Sequence, residues 1–85
     1  MKINLEIEYN SGEKVEVVCS TPDIVKFEER YDMAITRAAN EMKVTHLLFL
    51  AHSALHRTKQ TDLDFNAWVE TVDGVGSVTS PKSKG

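Results

Sequence analysis

The hydrophobic residues of this chain change their spacing at Thr21-Pro22, and that change constrains the fold more than any other feature. Before it, Ile3, Leu5, Ile7 and Tyr9 alternate with Lys2, Asn4, Glu6 and Glu8, the repeat of a half-buried strand. Asn10-Ser11-Gly12-Glu13 follows as a turn in which Gly12 can take a positive φ. Val15, Val17 and Cys19 then alternate with Lys14, Glu16 and Ser20, which predicts a second strand and an antiparallel hairpin. Val18 interrupts the polar face and makes part of it a candidate for cover. A hairpin alone is marginal in water, so its apolar face needs a layer over it.

Beyond Thr21-Pro22 the spacing is helical. Thr21 is the expected N-cap, with Pro22 in the first turn and Asp23 near the positive end of the helix dipole. At about 100° per residue, Ile24, Phe27, Tyr31, Ala34, Ile35, Ala38, Ala39 and Met42 form one stripe. Glu29, Arg30, Thr36, Arg37 and Asn40 fall opposite. One helix over residues 22–41 satisfies this phase, and so does a helix broken near Asp32. Thr45 is the expected cap of a second helix, His46 to Thr58, with Leu47, Leu48, Leu50, Ala51, Ala54 and Leu55 on a broad face. After the loop Gln60-Thr61-Asp62, Asp64 caps a short third helix. Phe65, Trp68, Val69 and Val72 share one side of it, and Gly74 and Gly76 end it. The polar stretch from Ser77 to Gly85 reads as a disordered tail. The expected fold is therefore α+β: an N-terminal antiparallel β-hairpin packed on a small bundle of two to four helices. It forms one domain over residues 1–76, with a tail over 77–85.

Bulk properties bound the function. The chain has 85 residues, enough for one domain with a thin core. A net charge of −3 does not supply the basic footprint of a nucleic-acid binder. Cys19 is the sole cysteine, so no internal disulfide forms, which points to a reducing cytoplasm. Acidic residues interrupt the start, so it does not read as a signal peptide. The longest apolar run, Leu47 to Ala51, is far short of the ~20 residues that span a bilayer.

The candidate chemistry is thin. His52 and His56 are four apart on one helix face, a spacing that suits zinc. No third ligand is placed, and two solvent-facing histidines are the commoner meaning of that spacing. Cys19 lies on the apolar phase of a strand, as a buried thiol does and a nucleophile does not. Glu28, Glu29 and Asp32 read as a solvated helix face, and no phosphate loop, nucleophile elbow or paired carboxylates occur. No catalytic, cofactor or metal role is expected, which leaves binding to another protein. The candidate contact residues are Phe49, His52, His56 and Met33. Leu47-Leu48-Phe49-Leu50 wraps most of the way round a helix, so Phe49 projects away from the leucine face, beside His52 and His56. It is either sandwiched between helices or an exposed aromatic anchor. Met33 stands in the same way opposite Ile24 and Tyr31, whereas Trp68 is the expected cap of the core against the hairpin.

Three segments carry a resemblance. Phe65-Asn66-Ala67-Trp68-Val69-Glu70-Thr71-Val72-Asp73 resembles the Phe-x-x-Trp-hydrophobic-acid-x-Val-acid ending of the small tail assembly chaperones of long-tailed bacteriophages. Pro22 to Glu28 is similar to their first helix, and Leu47 to Arg57, with Leu50-Ala51 and Ala54-Leu55, to their second. The resemblance covers residues 22–75 in the same order and at similar spacing. It departs at Tyr31-Asp32-Met33, where that family's pattern has a glycine-containing break. It implies a non-enzymatic protein of the host cytoplasm, absent from mature virions. Such a protein binds the long tape measure protein, shields its apolar stripes and recruits tail tube protein, with self-association possible and no nucleic acid or membrane involved. It also implies a frameshift pair, with this chain as the upstream product. Pro81-Lys82 and Lys84-Gly85 permit the runs of identical bases that such a slip requires. The competing classes are a minor structural or head–tail connector protein of a virion, and a small regulatory protein-binding module.

Overall fold

The hairpin forms where the alternation places it. The computed structural model describes residues 2–38 and 43–77. In it β1 (Ile3–Tyr9) pairs antiparallel with β2 (Lys14–Cys19), Ile3 opposite Cys19 and Glu8 opposite Lys14. The turn is closed by the Tyr9 N–H donating to the Glu13 carbonyl at 2.8 Å and the Gly12 N–H donating to the Tyr9 carbonyl at 2.8 Å. Gly12 sits at φ 94°, a value that residues with a Cβ rarely adopt. Leu5, Ile7, Val17 and Cys19 are buried on one face, while Asn4, Glu6, Lys14, Glu16 and Val18 are exposed on the other.

The sheet has a third strand that the spacing of residues does not predict. Val72–Ser77 forms β3, antiparallel to β1, and the strand order is β2-β1-β3. Val72, expected on the third helix, instead lies opposite Tyr9 in the sheet, and Gly74 and Gly76 do not end a helix. Two glycines in six residues weaken strand propensity as much as helix propensity. What holds β3 is a partner far away in sequence: Ile7 faces Val75, and Glu8 and Glu6 face the two glycines. Asn10 fixes the entry, its N–H donating to the Thr71 carbonyl at 2.9 Å and its Nδ2 to the Glu70 carbonyl at 2.8 Å. Ser77 belongs to this strand, and residues 78–85 of the expected tail lie outside the described residues.

The first helical stretch is broken rather than continuous. α1 runs Thr21–Tyr31 and α2 Ile35–Ala38, and Asp32 between them is left-handed at φ 51°, ψ 49°. Aspartate tolerates this region better than most residues do. Glu28 ties the break together. Its carbonyl accepts the Met33 N–H at 3.3 Å, and its Oε2 accepts the Ile35 N–H at 2.8 Å, so it is not merely part of a solvated face. Ala39 and Met42 of the expected stripe, and Asn40 of the face opposite, lie outside the described residues. The N-cap of α1 is Ser20, one residue before Thr21, because the Asp23 carboxylate reaches back to the Ser20 N–H at 2.9 Å.

α3 (Val44–Arg57) starts behind Lys43 rather than at Thr45, and ends where Lys59 turns left-handed at φ 64°. Leu50, Ala51, Ala54 and Leu55 point into the core, with Leu47 and Leu48 half-buried at its margin. α4 (Phe65–Val69) is capped as expected, Asp64 Oδ1 accepting the Ala67 N–H at 2.8 Å. Trp68 is 1% exposed and closes the core against the sheet, its Nε1–H donating to the Tyr9 hydroxyl at 3.3 Å. The architecture is the expected α+β one, a hairpin packed on helices, with the sheet widened by β3. Among the described residues no helix is long and apolar enough to cross a membrane.

Candidate functional site

α3 crosses beneath both α1 and α4, and its face between them carries the side chains that its leucine stripe leaves over. Phe49 is half-buried there. Its ring lies 5.5 Å from Tyr31 at 86°, 6.4 Å from Phe27 and 6.2 Å from Phe65. It is thus wedged between aromatic rings of two helices while keeping one side open, which combines the two alternatives its position allowed. His52, also half-buried, has its Nε2 2.8 Å from the Leu63 carbonyl. A carbonyl only accepts, so that nitrogen carries a proton. The His52 ring packs 5.7 Å from Phe65, 5.5 Å from Trp68 and 5.6 Å from His56, which is exposed.

Phe49, His52, Ser53 and His56 floor a groove of about 310 Å³, which Lys26 of α1 and Asp64 and Phe65 at the start of α4 complete. Met33 is half-buried against the core and does not line this groove. Among the described residues no group of three or more histidine, cysteine or acidic side chains is placed to hold a metal ion.

Beneath the groove lies a buried carboxylate that sequence reasoning treats as a dipole residue only. Asp23 is fully buried. Its Oδ1 accepts from Ser53 Oγ at 2.8 Å and from Arg57 Nε at 3.1 Å, and its Oδ2 from Arg57 Nη2 at 2.8 Å. Burial by itself would raise this carboxyl, but bonds from Arg57, the Ser20 backbone and Ser53 outweigh it and hold the group below its usual range. Asp23 in turn holds the Arg57 guanidinium above its ordinary value, chiefly through its hydrogen bonds and then through its charge. The cluster clamps the first turn of α1 to the last two turns of α3. Ser53 and Arg57 are four apart on α3, which is a legible spacing; their partner, 30 and 34 residues upstream, is not.

Two further groups are placed by the fold. Cys19 is fully buried, its thiol donating to the Leu50 carbonyl at 3.3 Å. Burial first, and then the Asp23 charge, pushes it up to about 12 against the opposing pull of Arg57. Such a thiol stays neutral and makes no nucleophile. His46, which the helical spacing directs away from the other histidines, is 5% exposed. It stands edge-on to Phe27 at 5.1 Å and to Tyr31 at 4.9 Å, and its Nδ1 has no partner among the described residues. The groove as a whole is partly apolar, with one charge of each sign at its rim, Lys26 and Asp64. No family model, curated protein or solved structure matches the chain.

Proposed function

We propose that this chain is a non-enzymatic tail assembly chaperone of a long-tailed bacteriophage, and that it grips the tape measure protein through the Phe49 groove. The observation that carries the binding role is Phe49 itself: a half-buried aromatic ring braced by rings of α1 and α4 and lining a groove. Grooves between helices receive the apolar face of an amphipathic helix, with anchors spaced at three and four residues. A tape measure protein is a long helix that exposes such a face until the tube encloses it. One short groove makes a small interface, which tube protein can displace as the tail grows. The chain then acts in the host cytoplasm and is left out of the finished virion.

The phage reading itself comes from the sequence resemblance, and the backbone at Asp32 supports it. The family pattern breaks its first helix with glycine, and here an aspartate in the left-handed region makes the same break.

The test is co-purification from infected cells of wild-type chain and of Lys26→Glu and His56→Glu, two exposed groove positions whose change leaves the core alone. Wild type should retain the tape measure protein, and the variants should lose it at unchanged melting temperature. Mass spectrometry of mature virions should find no copy of this chain. A stoichiometric presence there would instead assign it to the structural or connector class. The coding DNA around residues 79–85 should hold a slip site, with a longer product in infected cells.

A further inference from the structure

β2 is an edge strand, and no described strand covers its outer side. Which of its backbone groups face outward follows from the turn. Tyr9 and Glu13 form a hydrogen-bonded pair, so the bonded pairs continue at Ile7/Val15, Leu5/Val17 and Ile3/Cys19. Lys14, Glu16 and Val18 therefore turn their N–H and C=O groups away from β1, towards solvent. Alongside them runs a groove of about 190 Å³ lined by Glu16, Val17, Val18, Ala54, Leu55, Thr58 and Gln60. Its floor is α3, so a further strand would lie with backbone along β2 and side chains over the helix.

Charge says what that strand is. Glu16 stands directly opposite Glu6 in a non-hydrogen-bonded pair, the kind whose side chains approach most closely. Like charges in that position are destabilising. Lys14, two residues away, already faces Glu8. Among the described residues no cation stands directly opposite Glu16, and its remaining strand-pairing side is the open edge. A strand that brings a cation opposite Glu16 would relieve the pair, and β2 itself has the sequence to do so. In an antiparallel self-pairing centred on Val15, Lys14 falls opposite Glu16 of the second copy, twice by symmetry. Glu13 of the second copy then falls opposite Val17, where the Gln60 amide of the groove can donate to it. Val18, 49% exposed, falls opposite Gly12 of the second copy, at the end of the paired segment. The β3 edge has no such pattern, with two glycines and no basic side chain among its described residues.

We infer that two copies of this chain associate through their β2 edges in this register, joining two three-stranded sheets into one. The association is independent of the Phe49 groove, which lies on another face of α3, so each dimer presents two grooves.

Sedimentation of the full chain over a wide concentration series tests this. Wild type should pass from monomer to dimer. Val18→Pro removes an outward N–H and no bond to β1, and edge strands tolerate proline. It should stay monomeric while melting close to wild type. Glu16→Lys opposes Lys14 twice and should weaken association roughly tenfold, and the swap Lys14→Glu with Glu16→Lys should restore it. A wild type that remains monomeric throughout overturns the inference. So does a folded Val18→Pro that dimerises as tightly as wild type, or a Glu16→Lys dimer of unchanged affinity.

Discussion

Removing the Asp23 carboxylate should both weaken the fold and change how it responds to acid. In Asp23→Ala the Ser53 hydroxyl and the Ser20 N–H lose their acceptor, and Arg57 loses a two-point partner. Hydrogen bonds to a charged group contribute about 1.5–3 kcal/mol each before the cost of burying the charge is taken off. That cost is large here because the carboxylate is fully buried, and the guanidinium, about a third exposed, regains water when its partner goes. The expected net loss is about 2–4 kcal/mol, and in a domain of this size that lowers Tm by roughly 10–25 °C. The pH dependence has a definite sign. A carboxyl held below its unfolded value contributes stability that is complete above the unfolded pKa, near ~4, and that disappears as pH falls through the lowered folded value. Wild type should therefore lose Tm steeply on acidification below about pH 4, and Asp23→Ala should follow a shallower course there. Thermal melts followed by circular dichroism across an acid series measure both. A variant that melts within a few degrees of wild type at neutral pH, and runs parallel to it in acid, would refute the clamp.

Three more perturbations separate the packing arguments. Leu50→Ala, at a fully buried position, should cost roughly 2–4 kcal/mol, and an unchanged melt would show that the buried face of α3 is misassigned. Asp32→Val places a β-branched residue at φ 51° and should cost about 1–2 kcal/mol, whereas Asp32→Gly should be neutral or better; equal stability of the two would deny the left-handed turn. Cys19 should resist alkylation in the native state and label only on unfolding, and rapid native labelling at neutral pH would contradict its burial and raised pKa.

The parts of the fold legible in the sequence are those whose causes are local. The alternation of Ile3, Leu5 and Ile7, and then of Val15, Val17 and Cys19, is enough to define the hairpin and its buried face. The stripe from Leu50 to Leu55 defines the buried face of α3 in the same way. The break at Asp32 is less legible, because the apolar phase of Ile24, Phe27 and Tyr31 carries on through Ile35 without a jump. β3 is invisible to periodicity, since its glycines argue against a strand and only β1 argues for one. The clamp is invisible for a related reason: Asp23 suits a helix start perfectly well without Arg57. Phe49, His52 and His56 do share the groove, as their spacing suggests, but Phe65, Lys26 and Asp64 join them only through the packing of α1 and α4 on α3. Met33 shares the puzzling phase of Phe49 and ends elsewhere, because the turn after Tyr31 redirects it.

The strand order also sets a timetable. β1 is the central strand, yet its two neighbours are reached over very different lengths of chain: a short turn to β2, and nearly the whole described fold to β3, with Leu5 opposite Ser77. Closing the longer loop costs about 2–3 kcal/mol more in chain entropy than closing the turn. That difference predicts the hairpin as the early structure, with α3 to cover it, and β3 as the later element to dock on β1. During synthesis β1 lacks this partner until β3 has left the ribosome. Substitutions in β3 should consequently leave the refolding rate nearly untouched and show up as faster unfolding. The sheet is thus a latch as well as a layer: among the described strands, the central one is held by the one farthest from it in sequence.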